Sequence, residues 1–485
     1  MASHSPGAAS PTDSPPAAPV ADGHRFKRAI TAPGLTLLTI GGVMGSGLFL
    51  ASGMAIHDAG PGVIGVFAVG LLAMYLEITA LAEMSAANPV PGSFLVYGRQ
   101  VLGPGFTFVT GWIYWLSSVL TMSSEVTAAA LFTHVWFPHV PLWIWSFVYS
   151  AFIIGVNFFG VRSFETIEGV MAAVKTVAVV AFIGVGLLFL AGWLGHSPAA
   201  AGAPGWNPLA ATGSVLWPNG LHGAAAALLL VLFAYAGTGV IGMAAAECKT
   251  PQSTIPRAAG RTVLLVGALY LASAYLLVTM QPWSGVPTHS SPFVAAVTAT
   301  ALPYAAAVMN LVLLFAVLST MNAALYANVR VLYALGKGHE APGWLGRLNG
   351  RDVPAHATWI SATLLLGAIL LAYLLPHDAY TYLVTATGFQ AMFIWLMIML
   401  THLLYRRYLR HHHPDRLRFR LWGYPYTTFL VIAIVLAGLA GSLTVASERV
   451  GAIIGFGGIG AVALVWLAAR SALLPGIQAA DRGGA

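Results

Sequence analysis

Charge is what this chain has least of. Only 8% of its 485 residues are Asp, Glu, Lys or Arg, where a soluble domain carries about 25%. A deficit of that size excludes a protein whose surface meets water throughout. Cysteine is nearly absent as well. Cys248 stands alone, so no intrachain disulfide forms and a disulfide-stapled secreted scaffold is excluded. There is no HExxH zinc pattern, no GxxxxGK[ST] nucleotide loop and no metal-like cluster. The chain is therefore read as a non-enzyme with no cofactor and no metal. The triple histidine His411 to His413 reads as part of a solvated basic loop. Residues 1–24 lack both an apolar run and the basic start of a secretory signal, and are rich in Pro, Ala and Ser. They read as a disordered tail.

What the chain has in excess is apolar sequence: 58% of residues are hydrophobic and the mean hydropathy is +0.80. A membrane-spanning helix needs about 20 mostly apolar residues. Twelve such runs occur, near 31–57, 62–87, 104–133, 141–160, 166–194, 222–247, 259–280, 300–335, 355–375, 379–405, 424–444 and 450–472. The expected fold class is an all-α membrane protein with about twelve transmembrane helices. It forms one domain over 25–474, followed by a short tail over 475–485.

The formal net charge of +7 could suggest a nucleic-acid partner in a soluble protein. Here the cations sit in short loops between apolar runs, so no nucleic acid is expected and the partner is the lipid bilayer. With both termini inside, every Lys and Arg except Arg449 and Lys175 falls in an inner segment, as the positive-inside rule requires. The loop over 192–220 contains no Lys, Arg, Asp or Glu, which suits the outer side. A multi-pass protein of the cytoplasmic membrane follows. Trp and Tyr near span ends, such as Trp136, Trp143, Trp217 and Tyr424, read as an interfacial belt.

Two runs are interrupted. The first contains Gly41-Gly42-Val43-Met44-Gly45-Ser46-Gly47 and the sixth contains Phe233-Ala234-Tyr235-Ala236-Gly237-Thr238-Gly239. Glycine costs about 1 kcal/mol against alanine inside a helix, so both segments are poor helix. Unwound backbone at membrane depth must face protein or a polar cavity. The breaks lie five helices apart, the spacing of inverted five-helix repeats, and paired broken helices point to a transporter's binding site. Exposed amides at a half-helix start attract a carboxylate. Free carbonyls at the opposing ends accept from an ammonium. The pair suits an amino-acid zwitterion.

The run IGGVMGSGLFLASG (40–53) resembles the first helix of permeases in the amino acid–polyamine–organocation superfamily. The similarity continues through PVPGSFLVYG (89–98), FAYAGTGVIGMAAAECKTPQSTIPRA (233–258), NAALYANVRVLYALGKGHEAP (322–342) and RLWGYPY (420–426). It is most similar to the bacterial amino acid transporter subgroup. The resemblance implies a LeuT-like fold of two inverted five-helix repeats plus two helices, and uptake of amino acids coupled to protons. Residue by residue, it implies that Ser46 and Gly47 offer amides to the substrate carboxylate. Gly45 belongs to the same break. Val43, Phe233 and Ala236 would offer carbonyls to the amino group, beside Gly237, and the Phe233 ring would cover the substrate. Many relatives read Gly-Thr-Glu where this chain reads Gly237-Thr238-Gly239, so a carboxylate is missing here.

Charges inside membrane helices are costly and mark function. Lys175 lies in the fifth run, about ten residues past Glu165 or ~15 Å at helical rise. The resemblance puts it where sodium-coupled relatives hold a cation, so it is expected to replace sodium and take part in proton coupling. Its alternative is a fixed cation pinning the first run to the fifth. Glu125 lies in a patch with Ser123, Ser124 and Thr127; the resemblance implies a glutamate here facing the central cavity, as proton acceptor or selectivity group. Its alternative is a carboxyl satisfied by neighbouring helices. Glu83 is expected at an inner gate or loop contact, with Glu77 earlier on the same run, and Glu247 in a salt bridge near Lys249 and Arg257. The leading expectation is a proton-coupled amino-acid importer. An exchanger, or less favourably a transporter-like nutrient sensor, remains the alternative, and the oligomeric state stays open.

Overall fold

The protein is described by a computed structural model covering residues 30–158, 161–194, 216–300, 302–349, 353–374 and 379–483. The tail expected over 1–24 and most of the uncharged loop over 192–220 lie outside these residues. Over the described residues, each of the twelve apolar runs is mainly helical. The first run is in three pieces, α1 (Ala32–Val43), α2 (Ser46–Phe49) and α3 (Ala51–Ala59). It is followed by α4 (Val63–Ala87), α5 (Phe94–Leu102), α6 (Pro104–His134), α7 (Leu142–Phe158) and α8 (Val161–Leu190). The sixth run splits into α9 (Gly220–Ala234) and α10 (Val240–Met243). Then come α11 (Pro251–Thr279), α12 (Pro292–Thr298), α13 (Ala305–Lys337), α14 (Ala355–Leu374), α15 (Ala379–His412), α16 (Tyr426–Ser442) and α17 (Ala446–Gly483). The short α5 and α12 lie in connections. Helix α17 runs through Pro475 to Gly483, so the tail expected from 475 is largely helical.

Local sequence sets these boundaries. The Thr31 hydroxyl accepts the Gly34 amide at 3.4 Å and opens α1, with Pro33 in its first turn. Pro104 and Pro251 open α6 and α11, where their missing N–H has no partner to lose. Among the described residues, six helices are long and apolar enough to cross a bilayer on length and composition alone. Four of the others, in α1, α7, α9 and α16, are shorter apolar helices.

The interrupted runs sit at the centre. Helix α1 packs against α8, α11 and α13, and α9 packs against α3, α4, α15 and α16. Around them, α6 lies along α13 and α4 along α11. The periphery, mainly α7, α8, α14, α16 and α17, exposes Phe147, Phe152, Val177, Leu187, Leu366, Phe429, Ile453 and Leu464. So much exposed apolar surface is a membrane-facing surface.

The ends that carry the basic loops share one face, and four ties close it. Glu83 accepts from Arg406 at 3.1 Å and from the Leu421 amide at 2.6 Å, with His402 at 3.4 Å. It thus joins α4 to α15 and the following loop, the loop contact expected of it. Glu340 pairs with Arg99 at 3.2 Å. Glu247 pairs with Arg330 of α13 at 2.9 Å and accepts from the Tyr326 hydroxyl at 3.1 Å. Its partner comes from across the bundle rather than from its sequence neighbours Lys249 and Arg257. Finally, Ile30 donates to the Glu247 carbonyl at 3.0 Å and the Lys249 amide donates to the Ile30 carbonyl at 3.1 Å. This is the isolated bridge between Ile30 and Cys248.

Candidate functional site

The first break frees groups that a continuous helix would pair internally. Helix α1 stops at Val43. Met44 turns to φ −82°, ψ 86° and Gly45 is extended. The Gly41 and Met44 carbonyls then receive the Lys175 ammonium from α8, at 2.6 and 3.1 Å. The Thr320 hydroxyl of α13 joins them, lying 3.4 Å from Lys175 and 2.9 Å from the Met44 carbonyl. Lys175 is fully buried. On the other side of the break, the Ser46 amide reaches both Glu125 oxygens at 3.1 and 3.0 Å, and its hydroxyl donates to Oε1 at 3.0 Å. A Cβ on Gly45 would sit 2.5 Å from Glu125 and 2.7 Å from Thr320, so only glycine lets these side chains close on the break.

The second break follows α9. Gly237 holds φ 100°, a conformation that glycine adopts without steric penalty. Its Cα faces the Gly42 carbonyl so closely that a Cβ would overlap it. Gly47 meets the Ala234 backbone in the same way, with a Cβ placed 2.7 Å from its Cα. The two breaks therefore cross in direct backbone contact. Tyr270 of α11 stitches them, its hydroxyl 3.2 Å from the Val43 carbonyl and 3.1 Å from the Ala234 carbonyl. Tyr380 of α15 donates to the Ser46 carbonyl at 3.1 Å. Thr238 donates to the buried Glu77 carboxyl of α4 at 2.8 Å.

Between the breaks lies a cavity of about 90 Å³, ample for several water-sized groups. Val43, Gly45 and Gly47 line it from the first break, Phe233, Ala236 and Gly237 from the second, and Glu125 from α6. Two expected site residues do not. Ser46 is buried behind its bonds to Glu125, and Lys175 sits behind the first break. The remaining wall was not anticipated. It consists of Tyr114, Ser117, Ser118 and Thr121 from α6, Thr320, Ala324 and Ala327 from α13, and Ala391, Ile394, Trp395 and Ile398 from α15. Gly239 also lines it, with Tyr114 Oη 3.3 Å from where a Cβ would stand. The hydroxyls recur about one turn apart on α6, a spacing that could have flagged them. The α15 wall has no such signal.

Glu168 was also missed. It is buried on α8 and accepts from Ser319 at 2.7 Å and Asn322 at 3.0 Å, both on α13.

The arrangement offers an ammonium held by backbone carbonyls behind the first break, a carboxylate held by backbone and side-chain donors, and a small chamber that the carboxylate borders, its mostly apolar wall carrying several hydroxyls. The sequence profile of the family described as amino acid permease matches residues 34–477. An uncharacterised amino acid permease of Bacillus subtilis, YtnA, is 34% identical over 402 residues, spanning 83% of this chain and 86% of that protein. The gamma-aminobutyric acid permease of Bacillus subtilis is 32% identical over 419 residues, 86% of this chain and 88% of that one. Among solved structures, the Eremococcus coleocola manganese transporter in complex with an aromatic bis-isothiourea substituted compound superposes with a TM-score of 0.61 at 13% identity, covering 97% of this chain and 100% of the other. That likeness shows the fold alone, the LeuT-like fold that the family resemblance implies. By profile and by relatives along its length, the chain belongs to the amino acid permease family.

Proposed function

We propose that this chain is a secondary active transporter that imports amino acids across the cytoplasmic membrane in symport with protons. It works by alternating access around the breaks of its first and sixth runs. Both termini lie in the cytoplasm, because the ends that share the basic loops form one face. The observation that carries the reading is the Lys175 ammonium on the carbonyls freed by the first break, one residue away from a cavity that holds Glu125. A cation built into the chain takes the place that a bound metal cation would need, and unlike sodium it can gain and lose a proton.

In this reading the substrate carboxylate takes the amides of Ser46 and Gly47. Its amino group takes the carbonyls of Val43, Phe233 and Ala236 beside Gly237, and the Phe233 ring closes over it. The Ser46 donors are held by Glu125 and the Val43 carbonyl by Tyr270, so binding is an exchange of partners. Two anions cannot share the Ser46 donors. Substrate entry therefore either drives Glu125 off them or is accompanied by its neutralisation, which links substrate to proton. The name of the gamma-aminobutyric acid relative agrees with a small zwitterionic substrate.

The test is uptake of a panel of radiolabelled amino acids into proteoliposomes, with an imposed inward proton gradient and with an uncoupler. Uphill accumulation of one class that collapses with uncoupler is expected. Labelling that needs unlabelled amino acid preloaded inside, with no uphill uptake, would make the protein an exchanger and Lys175 a structural charge.

A further inference from the structure

Lys175 has a second carboxylate neighbour that the proton-symport reading leaves unused. Glu168 lies seven residues before Lys175 on α8, two turns down the same face, or ~10 Å at helical rise. The Gly41 peptide separates them. Its carbonyl accepts the Lys175 ammonium at 2.6 Å, while a Cβ on the same residue would overlap the Glu168 carboxyl. Consecutive residues of α13 serve the two sides, Ser319 bonding Glu168 and Thr320 standing beside Lys175. From Glu168 a polar trail continues: Asn322 Nδ2 donates to its Oε2 at 3.0 Å, and Asn157 Nδ2 of α7 donates to Asn322 Oδ1 at 2.8 Å. Asn157 is one residue from the end of α7 on the basic face, where it is partly exposed.

The groups facing the Glu168 carboxyl are Gly41 from α1, Ser319 and Asn322 from α13, and Lys175 from its own helix. One of these is a cation. Burying a charge inside a bundle is costly unless it is paired and hydrogen-bonded. A carboxylate kept there with no ion pair among the described residues, and pointed at a lysine, has a use for its charge.

We propose that Glu168 is the proton-release partner of Lys175: it receives the proton that Lys175 gives up when the first break moves, and releases it to water at the basic face, on the side lined by Asn322 and Asn157. This rests on the symport reading above. The transfer breaks one N–H bond at Nζ and forms one O–H bond on the Glu168 carboxyl. A buried ammonium and a buried carboxylate become a neutral amine and a neutral acid. Gly41 stands between the partners in this conformation, so the movement that unseats the break opens the path. Glu125 lies on the opposite, cavity side of Lys175, so protons have an entry side and an exit side.

The test compares wild type, Glu168→Gln and Glu168→Asp in proteoliposomes, using the amino acid that wild type accumulates. Two quantities are measured: the accumulation ratio under an inward proton gradient, and counterflow of labelled against unlabelled substrate at equal pH, which needs no net proton movement. Glu168→Gln is expected to lose accumulation at least tenfold while counterflow persists. Glu168→Asp is expected to recover part of the accumulation with a displaced pH profile. Full accumulation by Glu168→Gln overturns the proposal. So does equal loss of counterflow and accumulation in both variants when the purified protein is monodisperse, since that is a packing role. Should Glu168→Gln not fold, Glu168→Asp decides, and an unchanged pH profile overturns the proposal. If wild type itself shows no gradient-driven accumulation, the symport reading fails and this inference falls with it. The other contrary outcomes sink this inference alone.

Discussion

Replacing Gly237 by alanine is the sharpest test of the crossed breaks. The residue holds φ 100°, where an L side chain costs about 1–2 kcal/mol. Its Cβ would overlap the Gly42 carbonyl oxygen, and would stand 2.7 Å from the carbonyl carbon and 3.2 Å from the Val43 amide. These are backbone atoms and cannot rotate away. Overpacking of this kind adds about 1–3 kcal/mol. The crossed conformation is therefore penalised by about 2–5 kcal/mol, which at 1.4 kcal/mol per decade is roughly 30-fold to several thousand-fold in its population. Initial uptake rates in proteoliposomes should fall at least 30-fold, with the melting temperature of the purified protein lowered. Gly260→Ala is the control. Nothing lies within 4 Å of its Cβ position in α11, and the helix gains about 1 kcal/mol. Gly237→Ala uptake within threefold of wild type would refute the claim that the two breaks must touch.

Three further outcomes follow from the site and the basic face. Lys175→Met leaves the Gly41 and Met44 carbonyls without their ammonium, and gradient-driven accumulation should fall to the level seen with uncoupler; full pH-driven uptake in that variant would end its coupling role. Glu125→Gln keeps the shape but removes the anion from the Ser46 donors, so the initial uptake rate should lose its dependence on external pH; an unchanged pH profile and selectivity would remove both roles assigned to it. Arg406→Ala strips the guanidinium from buried Glu83, a loss of about 3–5 kcal/mol when one partner of a buried pair is removed. A thermal melt in detergent should show it, with Arg406→Lys restoring part.

The two breaks were legible because glycine is conspicuous against an apolar run, and its cost in a helix is large compared with other local preferences. Lys175 and Glu125 were legible because an isolated charge stands out in a membrane helix, although for each a purely structural role weighed against the functional one. Ser117, Thr121 and Trp395 were not, because hydroxyl and indole side chains are common in membrane helices as packing and belt residues. Which of them face the cavity depends on how α6 and α15 rotate about their axes, and their neighbours fix that rotation. Glu168 escaped because it sits three residues after Glu165 at the margin of its run, where a carboxylate reads as loop. Only the fold brings it under Gly41. Glu247 was correctly expected in a salt bridge, but the partner, Arg330, is distant in sequence and could not be read from local spacing.

The splice at Ile30 has a mechanical consequence. Two backbone hydrogen bonds, from Ile30 to the Glu247 carbonyl and from Lys249 back to Ile30, fasten the chain entering the first broken run to the chain leaving the sixth. Each is worth only about 1 kcal/mol net, weak as glue but strict as geometry. The inner arms of the two runs must then swing as one lever, since moving either alone breaks both bonds. Intermediate postures, through which solute and ion would slip independently, are thinned out. Under the symport proposed above, the tightness of coupling is then set partly by a three-residue fastening outside the chamber lining.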